Sequence, residues 1–411
     1  MDYKPRYLVM VTANNNNKYY KQIPISATEW KAEYGRVGSA PQTARYSMSQ
    51  WDKKYNEKIR KGYVDKTELI EDAIVKTEVK NPSDDFKTIE NKAIADIVNE
   101  LQMMATNAIR QNYTVNSEAV TQMMVDEAQT IIDNLMSRKT IISFNKDLLD
   151  LFQVIPRAMS DVKKHLANSK DDFANIIKRE QDLLDVMRGQ VIQNQVVSDA
   201  EEDKNTQKSD KTILEHLGLV FEECTPEDIA RIKVCLGSCV DNFNRAWKVT
   251  NCQTQEQYDK FIEENNIKET KLLFHGSRNE NWWSIICNGL KLRPSNAIIT
   301  GKLYGMGTYF APKAKKSLGY TSLRGSYWAN GNATKGYMAL MEVAYGTPYD
   351  VYDFDSKYHD LNYDKLQKFK KGANCLHAHA GANIGYTSLK NDEIVIYKEE
   401  QCTIKYLVEL T

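Results

Sequence analysis

No apolar run in this 411-residue sequence approaches the ~18 to 20 residues that a membrane-spanning helix needs. The opening decapeptide MDYKPRYLVM also lacks the long apolar stretch of a secretory signal. A soluble intracellular chain is therefore expected, nuclear if the source is eukaryotic, with no membrane partner. Net charge is missing as well, because 55 basic and 55 acidic side chains cancel. Nine prolines and 19 glycines are too few for a collagen-like or linker-dominated chain. The seven cysteines show no C-x2-C spacing; Cys235 and Cys239, four apart, are read as reduced thiols rather than metal ligands. What remains is 42% hydrophobic and 10% aromatic, a globular composition. At ~100 to 200 residues per domain, the length suggests two or three of them.

The overall neutrality hides a regional split. Residues 1–66 carry 13 basic and 6 acidic side chains, whereas residues 67–203 carry 15 and 25. The first segment is thus a candidate polyanion binder. Residues 6–13, 18–26 and 30–38 read as three strands rich in Val, Ile, Tyr and Trp, broken by Asn14–Asn17 and by Ala27–Glu29. Trp51, Tyr55 and Ile59 recur every fourth residue, so a helix from Trp51 to Lys66 can pack on that small antiparallel sheet.

From Pro82 to about Ser198 helical periodicity takes over, predicting an all-α bundle. Ser83 is the expected cap of a helix through Ile94, Ile97 and Leu101, and Asn116 or Ser117 of a second through Val120 and Met124. A short third helix ends near Pro156, and a last one starts at Ser169 and closes at Gly189. The pairs Met103/Met104 and Met123/Met124 are taken as core filler. Residues 190–210 are polar and read as a linker. Beyond them, LLFHGS, MALMEVAYG, EIVIYK and TIKYLVEL alternate with Gly-rich turns, the pattern of an α+β domain dominated by antiparallel strands. The expected division is 1–80, 81–198 and 199–411.

Three segments of the last domain set a polar side chain beside glycines or at a strand start: Leu272–Ser277, Gly301–Ala311 and Asn391–Tyr397. In that order, with an EVAYG strand between the second and third, they resemble the catalytic domain of the poly(ADP-ribose) polymerases, diphtheria-toxin-like ADP-ribosyltransferases with a His-Tyr-Glu triad. Residues 1–66 resemble that family's WGR domain, through the Asn-rich strand start and through Tyr34-Gly35-Arg36-Val37-Gly38, with Tyr in place of Trp. Residues 82–198 resemble its helical regulatory domain. The fold class so implied is α+β multidomain: a small antiparallel β domain, a helical bundle and the α+β transferase.

The resemblance implies NAD+ as co-substrate and no metal. It assigns the triad to His275, Tyr309 and Glu393. Gly276 and Ser317 would hold the nicotinamide carboxamide, and Tyr309 and Tyr320 would stack on its ring. Arg278 and Asn281 would join His275 on the adenosine side, and Ser277 is counted among the cofactor-binding residues. Lys316 would face the acceptor, pairing with the diphosphate of a growing chain. Asn17, Lys18, Tyr34 and Arg36 would contact DNA ends or nicks. Glycosidic cleavage generates an oxocarbenium-like ribose, so a site for it must grip the leaving amide, orient the ring and place negative charge beside the cation. Each requirement has a candidate here.

Family members lacking the glutamate generally add single ADP-ribose units, so Glu393 favours chain elongation. Lys291 stands where close relatives often carry Arg near the adenine pocket. The leading expectation is a monomeric polymerase switched on by DNA breaks, modifying itself and other proteins, with the acidic bundle restricting access to NAD+ until DNA binds. A mono-ADP-ribosyltransferase on the same fold, or a DNA-end-binding protein with an inactive transferase domain, are the alternatives. The uncharged stretch Gly372–Leu389, containing His377 and His379, is expected to be a loop before the catalytic strand rather than a metal site.

Overall fold

The computed structural model describes residues 3–67, 86–113, 120–202, 210–292, 303–323, 333–384 and 387–411. The chain divides into two compact units, Met1–Lys80 with Thr106–Asn194, and Asn81–Ala105 with Gln195–Thr411.

In the first unit, strands β1 (Arg6–Thr12), β2 (Asn16–Pro24), β3 (Glu29–Arg36), β4 (Gln42–Ser47) and β5 (Val64–Asp65) form one antiparallel sheet in the order β4-β3-β2-β1-β5. Residues Tyr7, Leu8, Val9 and Val11 of β1, in the sheet interior, are buried. Helix α1 (Trp51–Arg60) docks through Trp51, which meets Trp30 edge to face at 5.3 Å. The fourfold spacing overstated its apolar face. Ile59 is 37% exposed, and Tyr55 lies under Arg6 while donating to Asp65 at 2.7 Å. Strand β4 went unread because QTARYS has no apolar alternation and lies at the sheet edge.

Among the described residues four α-helices follow: α2 (Lys92–Asn112), α3 (Gln122–Leu135), α4 (Ile141–Val154) and α5 (Asp172–Glu202). The predicted caps Ser83, Asn116 and Ser117 lie outside the described residues. At the start of α2 the Asn91 side chain accepts from the backbone of Ala93 and Ile94, and α3 is capped by Thr121, which accepts from Met124. Helix α5 does not close at Gly189 but continues through half of the predicted linker to Glu202. A mid-helix glycine costs only ~1 kcal/mol, and the buried neighbours Met187 and Val191 carry the helix across it. The methionines divide: Met124 is buried, whereas Met103 and Met123 lie at the surface.

The second unit contains β6 (Leu219–Glu223), α6 (Pro226–Leu236), β7 (Phe243–Asn251), α7 (Cys252–Glu264), β8 (Thr270–Gly276), α8 (Trp282–Asn288), β9 (Thr308–Phe310), α9 (Ala314–Leu318), β10 (Gly336–Ala344), β11 (Pro348–Asp353), α10 (Tyr363–Phe369), β12 (Cys375–Asn383), β13 (Glu393–Ile396) and β14 (Cys402–Leu410). They build two sheets, β6-β7-β14-β10-β8 and β11-β12-β13-β9. All pairings are antiparallel except β11 with β12. The apolar run of β10 is buried along almost its whole length, between β14 and β8. Phe274 and Ala311 exchange backbone hydrogen bonds of 2.8 and 3.0 Å and so tie the end of β8 in the first sheet to the segment following β9 in the second.

The stretch expected to be a loop is strand β12. Its alternation buries Leu376 and Ala378 and turns His377 and His379 to the other face. Among the described residues, no helix is long and apolar enough to cross a membrane.

Candidate active site

The tie between the sheets brings three widely separated segments of chain together. His275 is the penultimate residue of β8, Tyr309 is central in β9, and Glu393 opens β13. Pairing of β9 with β13 sets Tyr309 opposite Val395 and Phe310 opposite Ile394. The Nδ1 of His275 lies 3.1 Å from the Tyr309 carbonyl oxygen. A carbonyl only accepts, so Nδ1 carries the proton and the tautomer is set by the strand that also presents Tyr309.

Helix α9 closes the other side. Its Lys316 forms an ion pair with Glu393, and the two side chains are 17% and 13% exposed. Its Ser317 donates to the Phe274 carbonyl at 3.1 Å, leaving the lone pairs of that hydroxyl able to accept from an amide N–H. Gly276 is demanded by this same helix: a Cβ there would lie 2.1 Å from the Ser317 carbonyl oxygen.

The loop before β9 is built to hold Tyr309. The Tyr309 hydroxyl accepts from Tyr304 N at 2.9 Å and donates to the Gly305 carbonyl at 3.2 Å. Gly305 has φ +78, and a Cβ on it would collide with the Leu361 backbone at 2.3 Å. The Tyr304 carbonyl in turn accepts from the buried Tyr397 hydroxyl at 2.7 Å. Tyr397→Phe should orphan this carbonyl and destabilise the second unit by about 1 to 2 kcal/mol. The denaturation midpoint measures that loss; an unchanged midpoint would show that the loop is held by other contacts.

Burial first and the Glu393 charge second set the electrostatics of the neighbouring phenols. Burial pushes the Tyr309 hydroxyl well above its ordinary pKa; the Tyr304 N–H works against the rise and the Glu393 charge adds to it. Tyr320 is pushed up to about 12, chiefly by burial and then by Glu393, although 39% of the residue's surface remains exposed. Tyr304 is raised for the same two reasons. Its hydroxyl is buried without a hydrogen-bond partner, and sequence reasoning passed it over although it lies in the same glycine-rich segment as Tyr309. Three phenols and a lysine therefore surround Glu393.

Next to β8, the Asn281 amide donates to Ser277 Oγ at 3.1 Å, while its own Oδ1 is buried without a partner. Asn279, not singled out in the sequence, is similar: its Nδ2 donates to Lys335 O at 3.0 Å, and its Oδ1 is unpartnered. Arg278 occupies the N-cap of the short turn that carries both asparagines. Lys291 is held by Glu399 at 2.8 Å.

The four N-terminal candidates separate. Asn17 is fully buried and donates to the Arg157 carbonyl at 3.0 Å. Arg36 spreads its guanidinium over the carbonyls of Met159, Ser160 and Asn15, at 2.8 to 3.3 Å. Asn15 takes the left-handed backbone at φ +64 and uses its Oδ1 to accept from Arg36 and Val162. The asparagine run thus clamps the segment after α4, and neither Asn17 nor Arg36 offers its polar head to a polyanion in this arrangement. Tyr34 is half-buried between Tyr20 and the ammonium of Lys58. Lys18 is exposed.

Residues 236–411 match the poly(ADP-ribose) polymerase catalytic domain. The putative poly [ADP-ribose] polymerase-like protein 100L of Invertebrate iridescent virus 6 is 33% identical over 181 residues, 42% of this chain and 90% of that protein. The uncharacterized protein 101L of the same virus is 30% identical over 190 residues, 46% of this chain and 77% of that one. Poly [ADP-ribose] polymerase 1 of Oryza sativa subsp. japonica is 23% identical over 334 residues, 76% of this chain but 32% of the plant protein.

Proposed function

We propose, from the premise that this chain belongs to the poly(ADP-ribose) polymerase family and is an NAD+ ADP-ribosyltransferase, that it builds poly(ADP-ribose) chains and does so in response to DNA breaks. The observation that carries the elongation reading is the Lys316–Glu393 pair near Tyr320: a largely buried, anchored carboxylate with a cation next to it.

The substrate fits the residues present. A carboxamide N–H2 can donate to the Ser317 oxygen, whose own proton is already committed to Phe274. The orphaned Asn281 Oδ1 is an acceptor suited to the amino or hydroxyl groups of adenosine. Tyr309, fixed at its hydroxyl by two backbone groups, gives the nicotinamide ring a rigid face.

Glu393 then accepts from the ribose 2′-hydroxyl and sets negative charge beside C1′. The C1′–N bond breaks, its electron pair leaves with nicotinamide, and an acceptor oxygen bonds to C1′ while its proton passes to Glu393. Lys316 holds that carboxylate until the diphosphate of an incoming chain competes for the ammonium. Radiolabelled NAD+ followed by gel electrophoresis separates the alternatives. A ladder or smear is expected, and a single discrete band would mark the enzyme as a mono-ADP-ribosyltransferase.

The DNA reading rests on the basic surplus of residues 1–66 and on exposed Lys18. With Asn17 and Arg36 committed internally, Lys18 and the face around Tyr34 are the contacts we retain from the four.

The restraint reading rests on Glu100 of α2. It pairs with Lys335 and lies 3.0 Å from the Tyr337 hydroxyl of β10, whose single proton it shares with the buried Glu409, also at 3.0 Å. A carboxylate of α2 is thereby tied to β10 of the transferase, the strand between β14 and β8. Glu100→Ala should raise DNA-independent nicotinamide release severalfold. Unchanged basal release in that variant would remove Glu100 from the restraint.

A further inference from the structure

On the face of β12 opposite Glu393 lies a cluster that transfer chemistry does not use. Alternation along a strand puts His377 and His379 on one side, and the parallel neighbour β11 sets Asp350 directly opposite His377. One ligand atom from each of Asp350, His377 and His379 lies within 4.8 Å of the others. The His379 Nε2 is 2.8 Å from Asp350 Oδ1, and the two imidazole rings stack with centroids 4.0 Å apart.

We propose that Asp350, His377 and His379 form a divalent transition-metal site of the two-histidine, one-carboxylate kind, with zinc as its ion and Asp392 at its margin. The donor set decides the ion class: imidazole with carboxylate suits zinc and its first-row neighbours, whereas magnesium or calcium would demand oxygen ligands.

Three observations point to a ligand rather than to a solvated charge pair. First, the Nε2 of His377 is buried and held only by a contact of 3.4 Å with an Asp392 carboxylate oxygen, longer than an ordinary N–H···O hydrogen bond. A buried imidazole nitrogen next to a carboxylate that it does not properly bond leaves a position a cation would fill. Second, the opposite ring nitrogen of His377, Nδ1, lies 2.8 Å from the buried Tyr345 hydroxyl. That is the arrangement in which an outer partner orients a metal-bound imidazole. Third, His379 is sandwiched, with Tyr352 stacked at 4.5 Å on one side and His377 on the other, so its rotamer is fixed before any ion arrives.

The placement also has a consequence for the transferase. Asp392 accepts from Ala380 N at 2.7 Å, Ala378 pairs across the ladder with Glu393, and Asp392 immediately precedes Glu393. An ion on this face would pin β11, β12 and the start of β13 together and stiffen the strand that presents the catalytic carboxylate. Three protein ligands leave at least one coordination position for water, and the exposed Asp350 gives the ion a route in.

The test uses the full chain without an affinity tag, stripped with a chelator and titrated with Co2+, whose visible absorption reports coordination. Bands that saturate at one equivalent and collapse on adding Zn2+ are expected, together with a melting midpoint raised by roughly 5 to 10 °C at free zinc about a hundred times its Kd. His379→Gln and Asp350→Asn keep volume and polarity at half-exposed or exposed positions. In chelator their circular dichroism should match the parent, while the bands are lost in the first and weakened at least tenfold in the second. No saturable bands in the parent chain, or equal bands in parent and variants, would overturn the site. Because the readout is coordination and not transfer, neither result bears on the transferase assignment.

Discussion

Glu393→Gln should lower nicotinamide release by about a thousandfold while NAD+ still binds. Glutamine keeps the shape of the side chain and one acceptor for the 2′-hydroxyl. It removes the charge that opposes the ribosyl cation and the base that takes the acceptor's proton, effects worth about a hundred to several thousandfold in such sites. It also leaves Lys316 beside a neutral partner, in a position only 17% exposed. A drop in kcat much larger than any change in KM is the expected signature, since the lost interaction is made in the transition state. Long polymers from this variant would contradict the role given to Glu393.

The largest expected effect on stability lies in the first unit, at Arg157. Its side chain forms a buried ion pair with Glu180, which is fully buried, and stacks over Tyr113 at 4.5 Å and Phe152 at 5.6 Å. Removing one member of such a pair costs ~3 to 5 kcal/mol because the other charge is left uncompensated. Arg179 also reaches Glu180, at 2.9 Å, so the lower end applies. Arg157→Ala should therefore cost about 3 kcal/mol, lowering the melting midpoint of that unit by roughly 6 to 12 °C. The double variant Arg157→Met with Glu180→Leu should recover most of the loss, since paired charges and packed apolar groups of similar volume are nearly equivalent. A double variant as unstable as the single one would show that the charges do more than neutralise each other.

The elements that were legible in the sequence share a physical cause: strong apolar periodicity that tertiary contacts reinforce. The strands LLFHGS, MALMEVAYG, EIVIYK and TIKYLVEL became β8, β10, β13 and β14. His275, Tyr309, Lys316 and Glu393 converge because two of those strands and β9 carry three of them, while α9 carries the fourth. Where the reading failed, a local signal was outweighed by burial. Gly189 reads as a stop, yet Met187 and Val191 keep α5 going. The stretch around His377 reads as a loop because histidine, glycine and asparagine mask an alternation that buries alanines. The asparagine run offered no means of telling a partner in solution from one in the chain, and Arg157, Met159, Ser160 and Val162 lie too far along for spacing to reveal. The requirement for Gly276 was equally hidden, since only the approach of α9 creates it.

The most direct test is the initial rate of free nicotinamide release from NAD+ by the purified chain, with and without nicked DNA, in parent and Glu393→Gln. A basal rate that rises many-fold with DNA in the parent, and a variant near background in both conditions, is the predicted result. Equal rates with and without DNA would contradict break-dependent activation, and release by the variant at the parent rate would contradict the active site built around Glu393.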